Sequence, residues 1–146
     1  MVEVVVDSNV ILRALFFGDK YSMILLQKEA EHKIRFVFNK EMKRELCMKF
    51  ASFLLRYGAD ISKANRLTDK LSTILKRSKE VGHNTYSNLC TEDRSDNKFI
   101  DCAIDSKSGF IITEDSDLSG LEGIICRKYN CIVRILSPYQ FITEYL

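Results

Sequence analysis

The sequence predicts one α/β domain, a mainly parallel sheet of about four or five strands covered by helices on both faces. Two observations carry that reading. Short runs of β-branched and aromatic residues alternate with longer stretches of helical period, and the short runs lack the polar alternation of a half-exposed strand. No repeat, low-complexity stretch or proline-rich linker divides the 146 residues, so 1–146 is expected to be a single domain.

In chain order, Val2 to Val6 reads as a buried strand. Ser8 or Asn9 suits the cap of a helix beginning at Val10, whose Ile11, Ala14 and Leu15 recur at helical spacing. Gly18 and Asp19 break it. A second helix runs from about Tyr21 to Glu31, with Met23, Leu26 and Ala30 on one stripe. "IRFVF", Ile34 to Phe38, is the second strand. Asn39 caps a helix over about Lys40 to Tyr57, with Met42, Leu46, Phe50, Phe53 and Leu54 inward and Gly58 as its stop. The next helix, about Ser62 to Arg77, has its stripe at Ala64, Leu67, Leu71, Ile74 and Leu75.

From Ser78 to Asp93 no period emerges, and the stretch reads as a loop with one irregular strand near Val81. "SDNKFIDCAIDSKSG" opens on a capping residue, places Phe99, Ile100, Ala103 and Ile104 on one helix face, and stops at Gly109. "FIIT" and "CIVRIL" (Cys131 to Leu136) are the remaining strands. Ser137 and Pro138 take the cap and first-turn positions of a terminal helix that packs through Tyr139, Phe141, Ile142 and Tyr145.

Composition narrows the functions available. Hydrophobic residues at 46% and charged residues at 29% are ordinary for a soluble globular protein. A net charge of +2 carries no strong nucleic-acid signature. The apolar start is too short for a secretory leader and lacks its basic region. No run approaches the ~18 apolar residues of a membrane helix. A cytoplasmic protein with no membrane partner is expected. Its cysteines, Cys47, Cys90, Cys102, Cys126 and Cys131, contain no CxxC pair. Neither His32 nor His83 lies near the one close pair in sequence, so reduced, mostly buried thiols are expected rather than zinc.

The informative residues are acids. In open α/β sheets ligands bind beyond the carboxyl ends of the strands. Asp7 directly follows the first strand, and Asp115 and Asp117 follow "FIIT". Asp96 opens the helix that leads into that strand. Glu45 lies about a turn and a half into the helix after the second strand. All five can reach one edge, where crowded carboxylates would repel one another and a hard cation such as Mg²⁺ or Mn²⁺ would relieve them. Such an ion activates water and clamps a phosphodiester, chemistry that needs no histidine. The two histidines are expected to lie away from every acidic element.

The segments "VVVDSNV", "KRELCMKF", "DRSDNKFIDCAI" and "IITEDSDL", in that order, resemble a PIN domain, the metal-dependent nuclease family. The ending "IVRILSPYQFI" is similar to its VapC-like, toxin-component branch. The resemblance spans essentially the whole chain and implies a three-layer α/β/α sandwich. It also implies that Asp7, Glu45, Asp96 and Asp115 are the catalytic, metal-holding acids, with Asp117 as a further ligand. Ser8, Asn9 and Thr113 match positions expected to orient those acids. Endoribonuclease cleavage of single-stranded RNA follows from the resemblance, as do a possible antitoxin partner and a possible homodimer.

Several residues have plainer readings beside these. Asp7 could simply cap a helix, Asp117 could cap the turn before Leu118, and Glu45 could pair with Lys49 one turn on. Asp101 is expected to be solvated or paired, and Asp93 to sit in a loop. Lys40, Lys43 and Arg44 start the helix that carries Glu45 and are the expected phosphate contacts. The cations of the following helix, among them Lys63, Arg66 and Lys70, read as a solvated face. Two other functions compete with the nuclease. One is a catalytically silent PIN-fold scaffold for RNA or protein, against which the full acid set counts. The other is a phosphatase-type hydrolase with Asp7 as nucleophile, against which Asn9 counts, since such enzymes usually carry a second aspartate there.

Overall fold

The computed structural model describes residues 1–58 and 60–146. In β1 (Val2–Val6), Val4, Val5 and Val6 point alternately to opposite faces and all are fully buried. Phe36, Val37 and Phe38 repeat this in β2 (Ile34–Phe38). Successive strand residues are all buried only when both faces of a sheet are covered. With β3 (Lys79–Glu80), β4 (Phe110–Ile112) and β5 (Arg134–Leu136), these strands form one all-parallel sheet in the order β3-β2-β1-β4-β5.

Helices α1 (Ser8–Phe17) and α2 (Lys20–Ala30) connect β1 to β2; α3 (Lys40–Tyr57) and α4 (Ile61–Arg77) connect β2 to β3. α5 (Asn97–Ser106), entered through a 3₁₀ turn at Arg94–Asp96, leads into β4. α6 (Ser116–Ser119) and α7 (Glu122–Tyr129) lead into β5, and α8 (Pro138–Tyr145) follows it. α5 lies across β1, β2 and β4, while α2 packs on β2 and α8. The β1-to-β2 crossover and the β3-to-β4 crossover travel in opposite directions along the sheet. Right-handed connections therefore put α2 and α5 on opposite faces. The fold is the three-layer α/β/α sandwich the sequence implied. Among the described residues no helix is long and apolar enough to cross a membrane.

Several local expectations need correction. α1 begins at Ser8, two residues early, because Asp7 is its cap and accepts the Asn9 N–H at 3.1 Å. The inner face of α2 is Ser22, Leu25 and Glu29; Met23 is half exposed, because the helix turns polar groups inward to meet α4. There the Arg77 guanidinium donates two hydrogen bonds to the buried Glu29 carboxylate. α5 ends at Lys107 in the left-handed region (φ 58), ahead of Gly109. β5 is only three residues long, and α6 and α7 fill a stretch with no predicted element. Only two cysteines, Cys90 and Cys102, are buried; Cys47 and Cys126 are exposed.

Candidate active site

The strand order reverses between β1 and β4, so their carboxyl ends frame the crevice where parallel sheets bind ligands. Asp7 leaves β1 with its backbone N–H donated to the Ile112 carbonyl of β4 at 2.9 Å, which locks the two strand ends together. The Asp7 side chain is buried and doubly held. Its Oδ1 caps α1, and its Oδ2 accepts the Thr113 hydroxyl at 2.8 Å. That same hydroxyl accepts the Asp115 N–H at 3.0 Å, so one threonine orients both strand-end acids. Asp115 caps the short α6 through the Asp117 N–H, while the Asp117 carboxylate stands exposed.

Asp96 meets this edge from the third connection. Its carboxyl hydrogen-bonds that of Asp115 and is pushed up to about 7, by burial first, then by that bond and by the charges of Asp93, Asp115 and Asp7. Asp7 is likewise raised. Burial is the main cause, opposed by its hydrogen bonds from Asn9 and Thr113, with Lys49 lowering and Glu45 raising it. Burial disfavours the ionised form of both carboxyls, and the neighbouring acids add to that at Asp96.

Glu45 on α3 faces the same crevice. It accepts the Ser8 hydroxyl at 2.9 Å and pairs with Lys98 at 2.9 Å and Lys49 at 3.6 Å. Lys98 is the residue sequence reasoning missed. It is only 6% exposed, sits 4.8 Å from the Phe99 ring centre, and donates to the Ser95 carbonyl. A lysine one residue from a helix start gives no local sign of burial; the sign would have been Glu45, which lies 53 residues earlier. Asn39 joins the two sides, capping α3 through the Met42 N–H at 2.9 Å and donating to the Lys98 carbonyl at 3.1 Å.

The remaining residues divide. Asn9 contributes its backbone and lines a cavity of about 410 Å³ beside Asp7 and Asp115, walled by Phe17 and Phe53. Arg44 lines a second groove on the Glu45 side. Lys40 is exposed, and Lys43 pairs with Glu80 at 3.1 Å. Asp93 caps the 3₁₀ turn. Asp101 is buried and paired rather than solvated. It accepts the Ser87 N–H at 2.9 Å and meets His83 Nε2 at 2.8 Å. That contact also corrects the expectation for the histidines, because His83 Nδ1 lies 3.1 Å from Glu41 as well. A separate apolar groove between α1, α2 and α4 does not reach the acids.

The donor set suits a hard, oxygen-seeking divalent ion, which would offset the burial and the neighbouring charges that raise Asp96. Among the described residues, no three His, Cys, Asp or Glu side chains already stand as a metal cage. The Lys98 ammonium supplies compensating positive charge on the Glu45 side of the crevice.

A parallel α/β sandwich with carboxylates gathered at its strand-order reversal has an acidic site where proteins of this class bind their ligands. Residues 3–117 match the PIN domain family, and the chain belongs to that family, which is one of nucleases. Among curated proteins, none matches its sequence. Among solved structures the chain is similar to PAE2754 from Pyrobaculum aerophilum, at TM-score 0.60 and 13% identity over 97% of this chain and 88% of that one. It is similar to VapBC2 from Rickettsia felis bound to a DNA fragment from their promoter, at TM-score 0.55 and 15% identity over 91% and 98%. DNA-bound VapBC from Salmonella typhimurium aligns at TM-score 0.52 and 11% identity over 94% and 99%. At these identities the likeness is one of fold.

Proposed function

We propose that this protein is a Mg²⁺- or Mn²⁺-dependent endoribonuclease acting on single-stranded RNA, with residues 1–146 forming one PIN domain. The observation that carries the reading is the placing of buried Asp7 and of Asp115 around one Thr113 hydroxyl at the β1/β4 edge. Asp7, Glu45, Asp96 and Asp115 would hold the metal, with Asp117 reaching in from α6. When bound, the divalent ion activates water and clamps the phosphodiester. Thr113 fixes the orientation of Asp7, and Ser8 that of Glu45. Asp96, whose carboxyl is raised to about 7, would ionise more readily beside a bound cation. Lys98 holds Glu45 on the crevice side of α3. Lys40, Lys43 and Arg44 would guide the RNA backbone.

The VapBC likenesses and the segment "IVRILSPYQFI" support a role as the toxin of a toxin–antitoxin pair, with an antitoxin as partner, homodimerisation and action in the cytoplasm. The test is the chemistry of the product ends. Water attack leaves a 5′-phosphate and a 3′-hydroxyl on each cut. Products carrying a 2′,3′-cyclic phosphate, or a phosphorylated Asp7, would contradict the mechanism.

A further inference from the structure

On the Glu45 side of the crevice, a groove of about 610 Å³ runs between α3 and the loop that precedes α5. Arg44, Arg94 and Asn88 line it, and so does Tyr86. The Tyr86 side chain is 65% exposed, yet it is held in place. One ring face stacks on His83, with centroids 4.3 Å apart and planes 15° from parallel. His83 is fixed at both nitrogens, to Glu41 on α3 and Asp101 on α5. The backbone is pinned on either side as well. The Ser87 N–H donates to Asp101, and Thr85 donates its N–H and hydroxyl to Asp105 at 3.1 and 2.6 Å.

Three acidic side chains and a histidine thus immobilise a ring that contributes little to the core. Holding an exposed aromatic still lowers the entropy lost when a flat ligand lands on it. Nucleobases are such ligands, because each has a π-face to stack on an aromatic ring while cations track the phosphates. Arg44 and Arg94 are exposed and stand in the same groove, which opens onto Glu45.

We propose that Tyr86, backed by His83, is a stacking platform for one nucleobase of single-stranded RNA, whose phosphates pass Arg44 and Arg94 toward the acids. This rests on the ribonuclease reading above. The test is fluorescence anisotropy of a labelled single-stranded oligoribonucleotide, with Ca²⁺ in place of Mg²⁺ so that the strand is held rather than cut. Tyr86→Ala is expected to raise Kd about tenfold and Tyr86→Phe to leave it unchanged. An abasic site walked along the strand should weaken wild-type binding at one position and have no such effect on Tyr86→Ala. Should Tyr86→Ala fail to fold, the abasic walk on wild type and the Tyr86→Phe affinity decide alone.

If wild type binds RNA and Tyr86→Ala binds it equally well, the platform is overturned and the ribonuclease reading stands. Equal losses in the alanine and phenylalanine variants would assign the affinity to the hydroxyl and overturn stacking. A wild type that binds no RNA overturns both.

Discussion

Asp96 shows how one carboxyl can report the state of the whole acid cluster. Its folded-state value of about 7 lies above the ordinary 3.8, so the unfolded chain ionises first. The stability this group contributes is full below the unfolded value and is lost as pH rises through about 7. Asp7 is shifted in the same direction. His83 acts with the same sign: burial lowers it, but its bonds to Asp101 and Glu41 together with their charges raise it above 6.5. Metal-free protein should therefore melt at a lower temperature as pH passes 7, and Mg²⁺ or Mn²⁺ should restore more of the loss on the alkaline side than on the acid side. Asp96→Asn should flatten the metal-dependent part, and His83→Gln only the metal-independent part. A melting temperature whose response to metal is the same at every pH would contradict the crowding argument.

At the scale of elements, Asn39 links the helix that carries Glu45 to the helix that follows Asp96. It is fully buried, and its side chain both caps α3 and ties down the Lys98 carbonyl. Asn39→Ala removes both bonds and leaves buried groups unpaired, at a cost of about 2–3 kcal/mol. Asn39→Asp should keep the cap and lose only the tie. Urea unfolding of the two variants checks this; an alanine variant as stable as wild type would contradict it.

The Asn39 and Ser137 caps were readable in the sequence because a cap is a local arrangement. α7 was not, because Ile125 is its only buried residue and no stripe forms. Cys131 to Val133 looked like strand, yet β5 pairs only from Arg134, where β4 supplies partners. Of the candidate site, Asp7, Asp115 and Asp117 could be placed from strand ends, and Asp96 and Glu45 from their positions early in helices. The buried Lys98 and the Asp101–His83 contact could not, since each depends on residues brought together from different parts of the chain.

At the scale of the molecule, one parallel sheet with its order reversing between β1 and β4 gathers carboxylates from four separate connections at a single edge. The central claim is that these acids act together through a divalent ion. It is tested most directly by cleavage of a labelled single-stranded RNA with Mn²⁺ or Mg²⁺, comparing wild type, wild type with EDTA, and Asp7→Asn. Asparagine is as good a helix cap as aspartate, so the variant should fold with α1 intact. The account predicts that chelation abolishes cleavage and that Asp7→Asn lowers it by at least about 100-fold. Cleavage that survives EDTA, or that persists undiminished in Asp7→Asn, would contradict it.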